Sequence, residues 1–143
     1  MGGRSSSSGG NLNRRNRKSV TRLDRLKGSG EYQYHATTAS ALIGIYNNGL
    51  KPNRGELGRG VYFSETPEQA NDWAYETTGG GKLLRVSTNY LRDNTDYDLY
   101  DETQGMTTKR IPRKVIQILN RSGEWEPLED YARRYYRSFG IRR

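Results

Sequence analysis

The stretch Gly58-Arg59-Gly60-Val61-Tyr62-Phe63-Ser64-Glu65-Thr66-Pro67-Glu68-Gln69 decides how this chain folds. Val61, Tyr62 and Phe63 favour a strand, and Gly60 before them allows a close backbone approach. Thr66 is a helix cap, Pro67 suits a first helical position, and Gln69 stands where a capping box needs its partner. The composition therefore predicts a strand passing directly into a helix, which ends before Gly79-Gly80-Gly81.

Working outward, Tyr32, Tyr34 and Ala36 alternate with Gln33 and His35, the period of a short strand with His35 near its end. Thr38 or Ser40 caps a helix through Asn48 with Leu42, Ile43, Tyr46 and Leu50 on its apolar face, and Gly49 fits the left-handed position after it. Downstream, residues 82–87 (KLLRVS) and 115–119 (VIQIL) read as buried strands separated by a long polar stretch. Leu128, Tyr131, Ala132, Tyr135 and Phe139 recur at helical spacing, with acids early and arginines late, as the helix dipole favours. Strands and helices interleave without regular βαβ spacing, so the fold class expected is α+β: a compact core over 31–127 and a basic amphipathic helix over 128–143.

At 143 residues the chain has room for one domain. Its net charge of +8 is unevenly spread: residues 1–30 hold eight basic groups and one acid, 131–143 five and none, and 31–130 eleven against fifteen. Residues 1–30, rich in Gly, Ser and Arg, bury too little apolar surface to offset ordering, and a disordered basic arm is expected there. Basic ends of this kind contact RNA, DNA or acidic protein. The absence of Cys excludes disulfides and thiolate chemistry, and a single His excludes a multi-histidine metal site, so no metal is expected. With no apolar run near the ~18 residues of a membrane span and no secretory signal, a cytoplasmic monomer is expected.

Three features follow in order: Tyr34-His35-Ala36-Thr37 at a strand end, Gly58-Arg59-Gly60-Val61-Tyr62-Phe63-Ser64, and Trp73. A strand-end His, close-approach glycines and two aromatics suit a dinucleotide with a planar leaving group. From about Tyr32 to Leu119 this order resembles the ADP-ribosyltransferase superfamily, in the His-Tyr-Glu branch that includes diphtheria toxin and the poly(ADP-ribose) polymerases. The resemblance implies a split β-sheet core and an NAD-dependent mono-ADP-ribosyltransferase acting on a protein or nucleic-acid acceptor, with NAD as co-substrate. It implies that His35 binds the adenine-side ribose, that Tyr62 and Trp73 sandwich the nicotinamide, and that the Ala36 backbone holds its amide, with Thr37 and Gly60 beside them. Ala70 falls where several relatives carry a Ser for the same amide. The family's late Glu, which stabilises the oxocarbenium-like centre, has no counterpart in simple register. Glu102 is the nearest candidate, with Gln104 and Asp101 behind it, and with the Glu displaced, chain elongation is not expected.

Asp93, Asp96, Asp98, Asp101 and Glu102 read as a solvated acidic loop, because calcium-loop spacing is absent. Leu84-Arg85-Val86 is also similar to a strand of the RNA 2′-phosphotransferases, for which Arg59 and Arg85 are the available arginines. A catalytically degenerate module that binds NAD or nucleic acid is the remaining alternative. The opening Met-Gly-Gly-Arg-Ser-Ser-Ser-Ser-Gly-Gly resembles the starts of small bacteriophage proteins, which implies a toxin-type enzyme acting in a host cytoplasm.

Overall fold

In the computed structural model the described residues are 30–55, 57–78, 81–135, 137 and 139, with side chains 73–78 outside that set. The arm expected over 1–30 therefore lies outside the described residues apart from Gly30. The elements are β1 (Tyr32–Thr37), α1 (Leu42–Asn48), β2 (Asn53–Gly55), β3 (Gly58–Ser64), α2 (Pro67–Thr78), β4 (Lys82–Ser87), α3 (Thr88–Asn94), β5 (Asp98–Leu99), β6 (Gln104–Thr107), a 3-10 turn (Arg113–Val115), β7 (Ile116–Leu119), β8 (Trp125–Pro127) and α4 (Leu128–Arg134). Eight strands form one open antiparallel sheet in the order β5-β6-β3-β1-β4-β7-β8, with β2 paired to β3 as a hairpin. The α+β class expected from the sequence is what forms.

The strand-to-helix junction at Thr66 forms as its residues dictate. The Thr66 hydroxyl oxygen accepts from the Gln69 N–H (3.2 Å), and Pro67 opens the helix. α1 begins two residues later than Ser40, at Leu42, without a side-chain cap, and the Thr38 hydroxyl oxygen instead accepts from the Ala41 N–H in the turn before it. Gly49 closes α1 at φ 79°, and its N–H reaches the Ile45 carbonyl (2.7 Å). There the chain passes so close to Ile111 that a β-carbon on Gly49 would stand 2.3 Å from the Ile111 carbonyl oxygen. The Leu50–Ile111 bridge that follows brings two apolar residues into the core.

One face of the sheet is dry. Leu84 and Val86 of β4 stand opposite Ile118 and Ile116 of β7, and the cluster continues through Val61, Phe63, Leu91 and Ile111. Gln33, fully buried among them, is satisfied by hydrogen bonds with Thr88 (3.2 Å) and the Tyr97 hydroxyl (3.1 Å). α4 buries Leu128, Tyr131 and Ala132 in the same cluster as Leu42 and Ile45 of α1.

Two local expectations differ from what forms. The polar stretch after β4 contains α3, whose Ser87 cap accepts from the Tyr90 N–H (3.3 Å), and the strands β5 and β6. The C-terminal helix ends at Arg134, although Phe139 is still buried and packs its ring against Tyr46 and Tyr131. Its helical spacing thus came from a shared core contact. Two of the late arginines are matched by acids, Arg134 with Glu126 through both amino groups and Arg133 with Asp130, while Glu129 of the same helix pairs with Arg113 of the 3-10 turn.

Gly49 and Gly44 give opposite expectations for the same substitution. Gly49→Ala should destabilise the protein by about 1–3 kcal/mol, since it adds a left-handed residue and a backbone clash. Gly44→Ala, within α1 and with nothing within 4 Å of the new carbon, should stabilise it by about 0.5–1 kcal/mol. Urea midpoints of the two variants on either side of wild type would bear this out, and equal midpoints would refute it.

Candidate functional site

β1 pairs with β4 over six residues, from Tyr32↔Ser87 to Thr37↔Lys82, but with β3 at the single position Tyr34↔Ser64. Beyond that pinch the two strands part, and a cleft of about 490 Å³ lies between them. Its walls are Tyr34 to Thr37 of β1, Gly60 to Ser64 of β3, and the side of α1 that carries Gly44, Ile45 and Asn48, with Ala70 of α2 and Gln104 of β6.

His35 spans the gap. Its Nδ1 lies 2.7 Å from the Tyr62 carbonyl oxygen, and its ring meets Phe63 edge-on at 5.8 Å. Burial lowers the His35 pKa below its ordinary value, and the bond to Tyr62 only partly opposes that shift. The imidazole is therefore neutral at pH 7. A carbonyl can only accept, so the proton sits on Nδ1 and Nε2 is left as an acceptor.

Tyr62 lines the same cleft with a ring anchored at its hydroxyl. Its hydroxyl donates to the Gly58 carbonyl (2.7 Å) and accepts from the Leu57 N–H (2.9 Å), which ties it to the β2–β3 hairpin. Gly55 lies against the ring, where a β-carbon would approach within 2.4 Å. Gly60 faces Met106, whose methyl would stand 2.4 Å from a β-carbon, so this glycine accommodates a neighbouring strand. Ala36 and Thr37 continue β1 along the cleft wall.

Gln104 opens β6 opposite Ser64, and its Oε1 accepts from the Tyr100 hydroxyl at 2.6 Å. Asp101 holds the approach to it by accepting from the Thr103 and Gln104 N–H groups at 2.8 and 2.9 Å. Of the residues considered for the family Glu, Gln104 therefore faces the cleft, Asp101 builds the turn behind it, and Glu102 does not line the cleft. Trp73 lies in α2, and its side chain is outside the described residues. Asp96 is likewise structural: against the cost of partial burial, hydrogen bonds from the Thr107 and Thr108 hydroxyls and the Thr108 N–H hold its carboxyl at about 2. The acidic stretch is thus largely a set of turn-forming carboxylates.

Lys51 and Arg54, which the sequence did not single out, also line the cleft and are exposed. Among the described lining residues there is no Asp or Glu. Among the described residues the cleft is accordingly a cationic part of a segment that is acidic overall, a setting that attracts an anionic ligand. No group of three His, Asp or Glu that could hold a metal occurs among the described residues, and no helix there is long and apolar enough to cross a membrane. Arg59 donates to the Pro52 carbonyl (3.3 Å), Arg85 lies between aromatic rings on β1 and β8, and neither lines the cleft. No family model matches the chain, and no curated protein matches it in sequence.

His35 is the only histidine, so its titration can be followed without assignment. Its imidazole resonance should remain in the neutral form well below pH 6.5, in the Nδ1–H tautomer. Because the unfolded chain takes up that proton first, the stability due to His35 is complete above about pH 6.5 and declines as pH falls below it. A His35→Gln variant should lose the decline that sets in below about pH 6.5. A resonance titrating at or above 6.5 would contradict the buried, neutral assignment.

Proposed function

We propose that the cleft binds NAD and that the protein transfers a single ADP-ribose unit to a macromolecular acceptor. The observation that carries this reading is the neutral His35, locked by the Tyr62 carbonyl across the parted strands of a cleft whose only described charges are cationic. The cleft volume of about 490 Å³ falls within the range of small-molecule sites.

Each residue has a part that its geometry supports. His35 Nε2, a fixed acceptor, takes a hydrogen bond from a sugar hydroxyl. The Tyr62 ring, immobilised by the hairpin, offers a flat surface to an aromatic ring, and Lys51 and Arg54 offset diphosphate charge at the open side. The backbone of Ala36 is available to a carboxamide through its N–H and carbonyl. NAD supplies a glycosidic bond to a cationic pyridinium, whose cleavage releases neutral nicotinamide. Gln104 can orient a ribose hydroxyl by hydrogen bonding but, lacking charge, cannot take up the proton of a hydroxyl acceptor. A single transfer to an acceptor that is already an anion, such as a carboxylate, needs no base, whereas chain elongation attacks from a sugar hydroxyl and does, so the single transfer is favoured.

A binding-only module is the second reading, and it draws on the same observation that no described carboxylate faces the cleft. The RNA 2′-phosphotransferase reading has less support, because Arg59 and Arg85 are both engaged outside the cleft. Radiolabelled NAD incubated with the protein and a cell lysate should label an acceptor or release nicotinamide. Tyr62→Phe keeps the ring but loses the hydroxyl tie to the hairpin and should give an intermediate signal, whereas Tyr62→Ala should lose about 10²-fold, the cost of a misplaced reactant. No signal from wild type, or equal signals from wild type and Tyr62→Ala, would overturn the enzyme reading. Calorimetric binding of NAD without turnover would favour the module.

A further inference from the structure

Cations from two distant parts of the sequence meet beside the open side of the cleft. The Leu50–Ile111 bridge sets Lys51 next to Arg110, and the hairpin register sets Arg54 directly opposite Arg59. Two residues outward from the β3–β6 pair Val61↔Thr107 stand Arg59 and Lys109. Arg110 Nη1 donates to the Asn48 carbonyl (2.8 Å) and Arg59 Nη2 to that of Pro52 (3.3 Å), so both guanidinium groups reach back to the segment that carries Lys51. Lys51, Arg54, Arg59, Lys109 and Arg110 are all exposed.

Three observations narrow what this rim meets. First, the fold does not neutralise it. Like charges directly opposite weaken a strand pair, and none of the five cations forms an ion pair among the described residues. Residues 32–55 and 103–123 contain no Asp or Glu. Asp96, which accepts from Thr107 and Thr108, is the described carboxylate beside Lys109, Glu56 at the hairpin tip lies outside the described residues, and α2 with Glu68, Asp72 and Glu76 packs on β1, β3 and β4. Counting both Asp96 and Glu56, cations still outnumber acids five to two. Second, Arg59 and Arg110 are each held by a backbone carbonyl, which orients a guanidinium without cancelling its charge and leaves further donors for a bidentate grip on phosphate. Third, Lys51 and Arg54 line the cleft whereas Arg59, Lys109 and Arg110 do not, so the positive surface runs past any ligand that the cleft encloses. A chain with an anion at every unit matches that extent.

We propose that Lys51, Arg54, Arg59, Lys109 and Arg110 form a rim that docks the phosphate backbone of a nucleic acid across the opening of the cleft. Residues 47–61 and 101–124, which carry the rim, contain no aromatic side chain, so bases have nothing there to stack on and recognition rests on phosphate. Binding by this rim is therefore indifferent to base sequence and steeply dependent on salt. The interaction does not depend on the NAD reading and is measured without NAD.

The test is fluorescence anisotropy of the full chain with two short labelled DNA duplexes of unrelated sequence, over about 50–200 mM salt, with labelled poly-glutamate as the acidic-protein comparison. Wild type should bind both duplexes equally, and more tightly than poly-glutamate. Arg59→Gln and Arg110→Gln keep an amide that can donate to the same carbonyl. Each should lower the slope of log affinity against log salt by about one and weaken binding about 5- to 10-fold at ~0.1 M salt, the share of one phosphate contact. Arg133→Gln, which removes an equal charge from α4, should change neither quantity. Every variant is first required to melt like wild type, and should a rim variant unfold, Lys109→Gln takes its place with the same expectation. Wild-type affinity and slope in folded rim variants would show that other basic segments carry the binding, and an equal loss in Arg133→Gln would show an effect of net charge alone. Either result overturns the proposal, as does tighter binding of poly-glutamate, which would assign the rim to an acidic protein. NAD binding by Arg59→Gln should equal wild type, which separates failure of this rim from failure of the cleft.

Discussion

The hydrogen bond from His35 to the Tyr62 carbonyl is the contact on which the rest of the site depends. An open antiparallel sheet normally satisfies its backbone groups strand by strand, but here β1 and β3 meet at one residue pair and then part. Parting leaves backbone groups without ladder partners, and a side chain has to take over. The imidazole does so for Tyr62, and the desolvation it meets there favours its neutral form. One residue thereby closes the sheet, opens the cleft and presents an acceptor to it.

Charge follows a similar division of labour. The sequence is basic at its ends and acidic between them, yet several carboxylates of the acidic segment are spent on structure. Asp96 holds Thr107 and Thr108, Asp101 holds the turn into Gln104, and Glu126 holds Arg134. What remains around the cleft is Lys51 and Arg54. Across the sheet, Arg85 is fixed by rings, which orient a guanidinium without cancelling its charge. The cleft thus favours anions, although the intervening segment as a whole does not.

Elements with strong local signals were legible in the sequence. β1 alternates, Thr66-Pro67 starts a helix in any context, and KLLRVS has the apolar content of a central strand. By contrast, Gln104-Gly105-Met106-Thr107 has little strand propensity and forms β6 because the edge of β3 needs a partner there. Gly105 suits that place since the Tyr97 hydroxyl would stand 2.5 Å from a β-carbon. Such a strand is imposed by its neighbour, and a propensity reading meets only polar residues. Within the cleft, His35 and Tyr62 stood out by type and order, and Gln104 came only through the family resemblance, behind Glu102. Lys51 and Arg54 did not, because a cation after a helix cap looks like any solvated residue until the hairpin folds it over the opening.

The sequence by itself determined the α+β class, the strand at His35, the strand-to-helix junction after Tyr62 and the basic ends, because each rests on residues within a few positions of one another. Tertiary structure decided where β1 and β3 part, which of Asp101, Glu102 and Gln104 faces the cleft, and that Arg85 stands between Tyr32 and Trp125. Those outcomes depend on strand register. A shift of one residue moves every side chain to the other face of the sheet, and register is set by contacts among segments tens of residues apart.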